Sequence, residues 1–396
     1  MTTIRRTYKY KLKPNKTQVK TFNHWLGCSR LLYNTALQQR IYAYKDKGET
    51  LSAYDQAREI KELRKHPDTD FFADVPRSIL DDTLQRLDKS YQAFFRGVKK
   101  GQNVGFPKFQ GKDYYKSICI ADIRSYVKSK TFWGETYIKL PKVGKVRLFK
   151  NRNIQGTPKT VDIIKEFNGW YACISCEIDM PSVNILNPKS VGIDIGIADF
   201  LHLSDGTKYD NKQFFKTYQQ KINRLQRKLA RQKKGSNTRA KTKYTLAKLL
   251  RKKANARDYY IHNVSTEIAE KYDIVYVEKL KVSNMSKSAK GDIDLPGKNV
   301  KAKSGLNRSL LDVGINKFFT ILSYKLKGKG GELVKVNPKY TSQRCNSCGA
   351  IDKESRKSKK YKCTSCGFEI DADLNAAKNI LDLGKGLWSI NKKKVG

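Results

Sequence analysis

The sequence predicts a fold of separate α/β, α and β parts, and three observations lead to this prediction. Apolar residues at helical spacing dominate the first hundred residues, short β runs fill residues 114–180, and strands alternate with helices beyond residue 188. A group of four cysteines interrupts this last pattern near the C-terminus. We therefore expect a helical unit, a small β-barrel and an α/β sheet domain with an inserted metal-binding element.

The charge balance indicates a polyanionic partner. The 396 residues include 81 Lys and Arg against 37 Asp and Glu, a formal net charge of +44, and self-repulsion at that density favours nucleic acid as the partner. Hydrophobic residues make up 39% of the chain, too many for a disordered basic tail. No apolar run approaches about 18 residues and no signal-peptide stretch opens the chain, so we expect a cytoplasmic protein with no membrane partner.

The N-terminal elements begin with a strand. Residues 4–12 alternate between an apolar face and a basic face, and Pro14 ends the run. Helical spacing then predicts a long helix that ends at Lys47-Gly48, a shorter helix over Tyr54–Arg64 and a third after Pro76.

Two later segments predict β-hairpins. They are KTFW-GE-TYIKL and VDIIKEF-NG-WYACISCEI, the second with an Asn168-Gly169 pair suited to a type I′ turn. The order of elements suggests that the first strand and the strands after residue 114 close one small barrel, with the helices inserted between them.

The C-terminal half predicts an alternation of strands and helices. The predicted elements are an apolar strand in SVGIDIG, a very basic helical segment over 212–257, a buried strand in KYDIVYVEKL, a mobile loop over Ser283–Gly305, a helix from Leu311 to Leu326, the strand GELVKVNP and a last helix in DADLNAAKNILDL.

Four cysteines have the spacing of a zinc ribbon. The pattern is Cys345-x2-Cys348-x14-Cys363-x2-Cys366, and a glycine follows each pair where the backbone turns back toward the sulfurs. Four thiolates leave no open coordination position, so we expect a structural Zn²⁺ ion. A second CxxC pair, Cys173 and Cys176, lies in a predicted strand that sends the two side chains to opposite faces, and we interpret it as structural.

Three acidic residues stand out, although each also has a structural interpretation. Asp194 lies inside an apolar strand, where a charge needs a partner, and it suits a strand–turn role, a phosphate-binding ATPase or a nuclease. Glu278 ends the apolar run DIVYV and could be an ordinary strand-end residue. Asp373 opens the last helix, where an acid stabilises the helix dipole, and Asp371 competes for either role. Packing is the expected role of His202.

Taken together, the three acids indicate a nuclease. Their order along β, α, β, α, β and α elements matches an RNase H-like sheet, in which the first and fourth strands are adjacent and the last helix packs over them. Three converging carboxylates would hold two Mg²⁺ ions about 3.5–4 Å apart, which activate water and stabilise the leaving oxygen of a phosphodiester. Oxygen ligands favour Mg²⁺, with Mn²⁺ as a substitute.

Motifs along nearly the whole chain resemble the TnpB (OrfB) proteins encoded by transposons, which are relatives of the type V CRISPR nucleases. The similar segments are, in order, YKYKLKPNKTQ, GCSRLLYN, LDKSYQAFFRGVKKGQNVGFPKFQ, VGIDIG, RDYYIHNVST before YVEKL, YTSQRCNSCG, KCTSCG and DADLNAAKNI. Several motifs in a fixed order are far more specific than any one of them.

The resemblance implies an RNA-guided, Mg-dependent DNA endonuclease of prokaryotes. It would bind a guide RNA made from the transposon end, recognise a short flanking motif in double-stranded target DNA and cut that DNA with one RuvC site, as a monomer on its RNA and nucleoid-associated when on DNA. The implied domains are a wedge-type β-barrel (1–13 and 112–184), a helical recognition domain (14–111), a RuvC nuclease domain (185–341 and 370–384), a zinc ribbon (342–369) and a tail (385–396).

The resemblance also assigns roles to residues. The RuvC acids would be Asp194, Glu278 and Asp373. The flanking motif would be read by Tyr54, Arg77, Ser78 and Asp81, of which Asp81 suits an amino group such as cytosine N4. Candidates for holding the RNA scaffold are Arg5, Arg6, Tyr8 and Tyr10. Candidates for lining the guide–target channel, with a solvated helix face as the alternative, are Arg224, Arg227, Lys228 and Arg231.

Three other functions are weighed against the nuclease. A guided DNA-binding repressor without cleavage would be expected to lack one of the acids, and all three are present. A DDE-type transposase shares the sheet but ends its acid triad on Glu instead of Asp. A zinc-ribbon binding module without chemistry leaves the Asp of GIDIG unexplained.

Overall fold

The chain folds as two units, Met1–Pro181 and Ser182–Gly396. The computed structural model describes residues 2–121, 123, 136–180, 185–292 and 294–387. None of the helices within these ranges combines the length and the apolar character that crossing a membrane requires.

In the described part of the first unit, three α-helices and a 3-10 helix follow the first strand. The elements are β1 (Thr2–Lys13), α1 (Lys16–Lys47), α2 (Ala53–Leu63), a 3-10 helix (Asp70–Asp74) and α3 (Arg77–Lys99). Asn15 and Gln18 form a capping box that starts α1, and Gly48, at φ 68°, ends it. The three predicted helices are confirmed.

The other described elements of this unit form an antiparallel sheet that includes β1. Its other strands are β2 (Ser117–Ile120), β3 (Tyr137–Leu140), β4 (Gly144–Phe149), β5 (Thr157–Glu166) and β6 (Gly169–Met180), in the order β2-β5-β6-β1-β4-β3. Helix α1 packs on the sheet, where the ring centres of Phe22 and Trp170 lie 5.1 Å apart. The edge strands of this sheet are β2 and β3. Among the described residues they do not pair with each other, so the sheet stays open and does not close into the predicted barrel.

The two predicted hairpins differ in detail from those observed. Glu166 pairs with Gly169, so the second turn consists of Phe167 and Asn168. Neither of these residues has a positive φ, and the predicted type I′ turn, which needs two, is wrong. The first arm of the other predicted hairpin, residues 130–135, lies outside the described residues, and its second arm belongs to β3, which pairs with β4.

The second unit is built on a sheet of five strands. These are β7 (Ser190–Ile195), β8 (Asp199–Leu203), β9 (Lys208–Asp210), β10 (Ile274–Glu278) and β11 (Glu332–Val336), in the order β11-β10-β7-β8-β9. Strand β10 lies between β7 and β11 and is parallel to both. The predicted adjacency of the first and fourth strands is therefore confirmed.

Helices and a small three-stranded sheet complete the second unit. The helices are α4 (Phe214–Arg231), α5 (Asn237–Lys271), α6 (Val282–Met285), α7 (Val300–Val313), α8 (Ile315–Lys327) and α9 (Ala372–Gly384). The small strands, within and after the cysteine-rich segment, are β12 (Arg356–Lys357), β13 (Lys360–Lys362) and β14 (Glu369–Asp371).

Two sequence predictions need correction in this unit. The segment Ser283–Gly305 was expected to be a loop, but α6 and the first turn of α7 occupy its ends. The helix expected from Leu311 to Leu326 is broken at Gly314, which has φ 74° and separates α7 from α8. Hydrophobic spacing continues across this glycine, so periodicity alone did not indicate the break.

Gly192 allows α9 to pack directly on the sheet, and its substitution should be strongly destabilising. A Cβ atom at Gly192 would lie 2.2 Å from the carbonyl oxygen of Ala377 and 2.6 Å from the backbone nitrogen of Leu381. We expect Gly192→Ala to lower the free energy of unfolding by about 3 kcal/mol, because backbone atoms cannot move aside cheaply. Chemical denaturation measures this change.

Gly305 supplies the matched control for Gly192→Ala. It lies within α7, and a Cβ atom there meets no atom within 4 Å. Gly305→Ala should stabilise the protein by about 0.5–1 kcal/mol, since alanine has the higher helix propensity. Equal effects of the two substitutions would contradict the packing of α9 described above.

Candidate functional site

Two of the three acids are neighbours at one end of the second sheet. Ile193 of β7 pairs with Val277 of β10, so the next residues, Asp194 and Glu278, lie side by side on adjacent parallel strands and project from the same face. On the other side of β7, His202 of β8 pairs with Asp194.

The third acid, Asp373, reaches this face from α9. Gly192, which shares a face with Asp194, lies against Ala377, and Asp373 precedes Ala377 by about one helical turn. Asp194 and Asp373 lie close enough for their charges to interact. Asp371 has another role, since its carboxylate accepts hydrogen bonds from the backbone N–H groups of Asp373 and Leu374 and caps the helix.

Burial and like charge shift the titration of these acids. Desolvation, followed by the charges of Glu278 and Asp373, raises the pKa of Asp194 to about 7. Burial also raises the pKa of Glu278. The Arg356 guanidinium opposes both shifts. A group of partly buried carboxylates is stabilised by a bound cation, and an oxygen-only donor set fits Mg²⁺ or Mn²⁺.

Glu278 is held from the segment that leads into the cysteine-rich region. The buried Thr341 hydroxyl donates to its carboxylate. Asn379 of α9, fully buried, donates to the carbonyl oxygens of Thr341 at 2.9 Å and Arg344 at 2.7 Å. The last helix thus fixes both Asp373 and the hydroxyl that supports Glu278.

Basic side chains pair with Asp373 and with Asp199, a neighbouring acid on β8. An Arg356 guanidinium nitrogen lies 2.7 Å from the Asp373 carboxylate. The Lys359 ammonium lies 2.8 Å from one oxygen of Asp199, and Lys208 lies 3.1 Å from the other. These cations partly neutralise the acidic site.

The cysteine-rich segment contains a four-sulfur cluster. The Sγ atoms of Cys345 and Cys366 are 3.8 Å apart, those of Cys348 and Cys363 are 3.6 Å apart, and all four lie within 4.8 Å of one another. A tetrahedral ion with metal–sulfur bonds of about 2.3 Å separates its ligands by about 3.8 Å, so the cluster fits zinc. The glycines after the two pairs, Gly349 and Gly367, both have positive φ, as their place in the turns predicts.

The remaining cysteines do not extend this cluster. Among the described residues, Cys173 and Cys176 belong to no group with metal-ligand geometry. They lie on β6, with Cys176 buried in the core and Cys173 half-buried. Their predicted structural role agrees with this position.

Two of the residues expected to hold the RNA scaffold are buried. Tyr8 and Tyr10 are 3% and 2% exposed, because they lie on the inward face of β1. The Tyr8 hydroxyl accepts from the backbone of Gln155, and the Tyr10 hydroxyl donates to the carbonyl of Arg152. Neither ring can stack on a base in this structure, and the structure corrects that prediction.

The two arginines of β1 are more accessible than its buried tyrosines, since Arg5 is exposed and Arg6 is half-buried. Arg5 is 82% exposed at its side chain and lies 3.1 Å from Glu177, and Arg6 donates to Gln155 at 2.8 Å. Both arginines therefore retain surface that a ligand can contact, whereas Tyr8 and Tyr10 are buried.

The positions expected to read the flanking motif lie on α2 and α3. Tyr54 is 70% exposed, with the Arg58 guanidinium 4.7 Å from its ring centre. Arg77 donates to Asp81 at 2.9 Å and to the Ala57 carbonyl of α2 at 2.6 Å, so both of its bonds are internal. Ser78 and Asp81 are half-buried.

The four basic residues expected to line the channel form one stripe on α4. All are exposed, at helical spacing of three and four residues: Arg224, Arg227, Lys228 and Arg231. No Asp or Glu occurs between Asp210 and Asp258, so nothing acidic in this segment offsets the stripe. Within α4 itself, Ile222 is the one buried residue.

Several residues around the acids were missed by sequence reasoning. No local sequence pattern marks these residues, because each contacts a segment that is distant along the chain. They are Thr341, Arg344, Arg356 and Asn379. A buried amide at Asn379, on the apolar side of an amphipathic helix, was the one available signal.

Comparison with known proteins gives three family matches. The models described as "Helix-turn-helix domain", "Probable transposase" and "Cas12f1-like, TNB domain" match residues 1–49, 174–289 and 316–380. In the first of these spans the structure has β1 and the single continuous helix α1.

Individual relatives match nearly the whole chain. The "Putative RNA-guided DNA endonuclease InsQ" of Escherichia coli K12 is 34% identical over 379 residues, which are 95% of this chain and 92% of that protein. A "Putative RNA-guided DNA endonuclease" of Streptomyces pristinaespiralis is 26% identical, over 97% and 90% of the two chains. A solved structure, CasPhi-2 (Cas12j) bound to crRNA, aligns with a TM-score of 0.48 at 12% identity, over 98% and 99% of the two chains.

Proposed function

The chain belongs to the TnpB (OrfB) family of RNA-guided DNA endonucleases, and we propose that Asp194, Glu278 and Asp373 form its one RuvC-type cleavage site. The observation that carries this proposal is the convergence of the three carboxylates, where β7, β10 and the start of α9 meet. The proposed domains are those set out from the sequence, with the RuvC domain at 185–341 and 370–384 and the zinc ribbon at 342–369.

The site residues have distinct tasks in this proposal. Asp194, Glu278 and Asp373 would hold two Mg²⁺ ions, for which Mn²⁺ can substitute, and these ions supply an activated water and stabilisation of the leaving oxygen. Thr341 orients the Glu278 carboxylate. Arg356, next to Asp373, places a positive charge where a phosphodiester would approach. The four cysteines would hold Zn²⁺ and maintain the ribbon that carries Arg356.

Sequence recognition is delegated to RNA in this proposal. The guide RNA, made from the transposon end, pairs with target DNA, and the protein holds the duplex through its backbone. The exposed stripe on α4 suits this task because it offers phosphates a row of cations. Exposed Tyr54 and the Arg77–Asp81 pair would read the flanking duplex motif, together with Ser78. We further propose a cytoplasmic monomer on its RNA.

Cleavage by the purified ribonucleoprotein tests the proposal. The protein is produced with its flanking RNA and offered matched duplex DNA in Mg²⁺, with Glu278→Gln beside the wild type. We expect Glu278→Gln to bind the DNA but to cut it at least roughly 10³-fold more slowly than the wild type, since one charged ligand is lost. Glu332→Gln, an exposed glutamate on the neighbouring strand β11, should cut like the wild type.

The other candidate functions give different results in the same assay. Binding of matched DNA without cleavage by the wild type would indicate a guided repressor. Joining of DNA ends without a requirement for RNA would indicate a transposase.

A further inference from the structure

His202 lies in the acidic site but has no part in the proposed cleavage chemistry. The residue is 8% exposed, and its Nδ1 atom lies 3.7 Å from Oδ2 of Asp373. Within the described part of the chain, neither ring nitrogen has a hydrogen bond to another group. A buried imidazole with both nitrogens unbonded and one of them directed at a carboxylate is a candidate ligand for a cation.

A β-bulge adds a second carboxylate on the other side of His202. Asp199 and His202 are three residues apart on β8, and in a regular strand their side chains would face opposite sides of the sheet. The register of β8 with β9 shifts between Asp199 and Leu201, and this irregularity re-aims the Asp199 side chain. As a result, one donor atom from each of Asp199, His202 and Asp373 lies within 4.8 Å of the other two.

We propose that Asp199, His202 and Asp373 form a further divalent-metal position, which shares Asp373 with the cleavage site and prefers Mn²⁺, Fe²⁺ or Co²⁺ to Mg²⁺. An imidazole nitrogen suits transition metals, whereas Mg²⁺ takes oxygen ligands. Ligands at about 2.1 Å from one ion are separated by about 3.0 Å when adjacent and about 4.2 Å when opposite, so the donors need to move by less than about 1 Å. The inference deepens the proposed function and rests on it for the role of Asp373.

Two lysines compete with a metal for this position. Lys359 and Lys208 each pair with one oxygen of Asp199, and their side chains are 55% and 44% exposed, so both can swing into solvent. A bound ion would replace their charges. Removing the Lys359 charge in Lys359→Met should therefore increase the affinity for the metal, whereas a purely structural Asp199–Lys359 pair would predict no change in metal affinity.

The probe is Mn²⁺, added to the zinc-loaded protein without RNA or DNA. Pulsed electron paramagnetic resonance detects the ¹⁴N coupling of an imidazole bound to Mn²⁺, and calorimetric titration measures affinity. We expect the coupling in the wild type and its loss in His202→Gln, with Mn²⁺ affinity reduced at least about tenfold, the lower end of what a lost supporting residue does to metal sites. The control variant His262→Gln changes an exposed histidine on α5 and should keep both the ¹⁴N coupling and the wild-type affinity for Mn²⁺.

Each outcome decides the proposal. Absence of ¹⁴N coupling in the wild type, or its persistence in His202→Gln, overturns the metal position. Guided cleavage in Mg²⁺ is measured on the same preparations, so the two proposals fail separately. Cleavage without coupling removes the metal position and leaves the nuclease, and coupling without cleavage removes the nuclease and leaves the metal position.

Discussion

Asp194→Asn should stabilise the protein in the absence of Mg²⁺ and should abolish DNA cleavage. The pKa of the Asp194 carboxyl is raised to about 7, first by burial and then by Glu278 and Asp373. At pH 8 the group is ionised in an environment that disfavours its charge, and asparagine removes that charge at almost constant shape. We expect the free energy of unfolding to rise by about 2–4 kcal/mol.

The same substitution should remove most of the stabilisation that Mg²⁺ provides. A ligand that binds only the folded state stabilises it by mass action, so the wild-type melting temperature should rise with Mg²⁺ and that of Asp194→Asn should rise much less. Guided cleavage should fall roughly 10³-fold or more, because the variant lacks one of the proposed charged metal ligands. Differential scanning calorimetry at pH 8, with and without Mg²⁺, measures the change in stability and its dependence on Mg²⁺.

Asp205→Asn is the matched control, for which we expect the opposite change in the free energy of unfolding. Asp205 is an acid of the same unit that accepts hydrogen bonds from Lys271 and Tyr272, and these partners outweigh its burial and hold its pKa far below the usual range. Neutralising it removes favourable interactions, so it should destabilise the protein and leave cleavage in place. A stabilising Asp205→Asn, or a destabilising Asp194→Asn, would contradict this account of the site.

The strands that carry the site could be predicted because their patterns are local. GIDIG and DIVYV are apolar runs that each bring one acid to a strand end, and parallel pairing then places Asp194 beside Glu278. The zinc-type cysteines could be predicted for the same reason, since two short spacings define the cluster. In each case a few neighbouring residues determine the geometry.

Features that depend on contacts between distant segments could not be predicted. The pairing of His202 with Asp194 follows from the β7–β8 register, and the position of Asp199 follows from a bulge that no sequence pattern marks. The alternation in β1 predicts which of its faces is apolar, and Tyr8 and Tyr10, the RNA-binding candidates, lie buried on that face. Both tyrosines satisfy their hydroxyl groups within the protein, as buried tyrosines generally do.

Cys363→Ser should release the metal from the ribbon and, through the ribbon, inactivate the nuclease. Among the described residues, the fully buried part of the hydrophobic cluster of the ribbon consists of Cys345, Tyr361, Cys363 and Ala372, so we expect a metal to be needed to stabilise it. Structural zinc sites contribute about 10–16 kcal/mol of binding free energy to folding.

Direct contacts join the ribbon to the residues around the third acid, Asp373. Lys360 of β13 pairs with Asp371, which caps α9 immediately before Asp373, and Arg356 of β12 contacts the Asp373 carboxylate. An unfolded ribbon would therefore release both the cap and the cation next to the third acid. We expect Cys363→Ser to contain no zinc, to melt at a lower temperature and to lose guided cleavage.

Cys173→Ala separates the loss of a metal from the loss of a thiol. Cys173 belongs to the other CxxC pair and lies half-buried on β6, so this variant should keep one zinc ion per chain and its cleavage activity. Elemental analysis measures zinc, and hydrogen exchange at the Tyr361 and Lys362 amides, which lie in β13, reports the fold of the ribbon. If these amides stayed protected in zinc-free Cys363→Ser, the ribbon would fold by its own packing, and the metal could not be what holds Arg356 and Asp371 in place around Asp373.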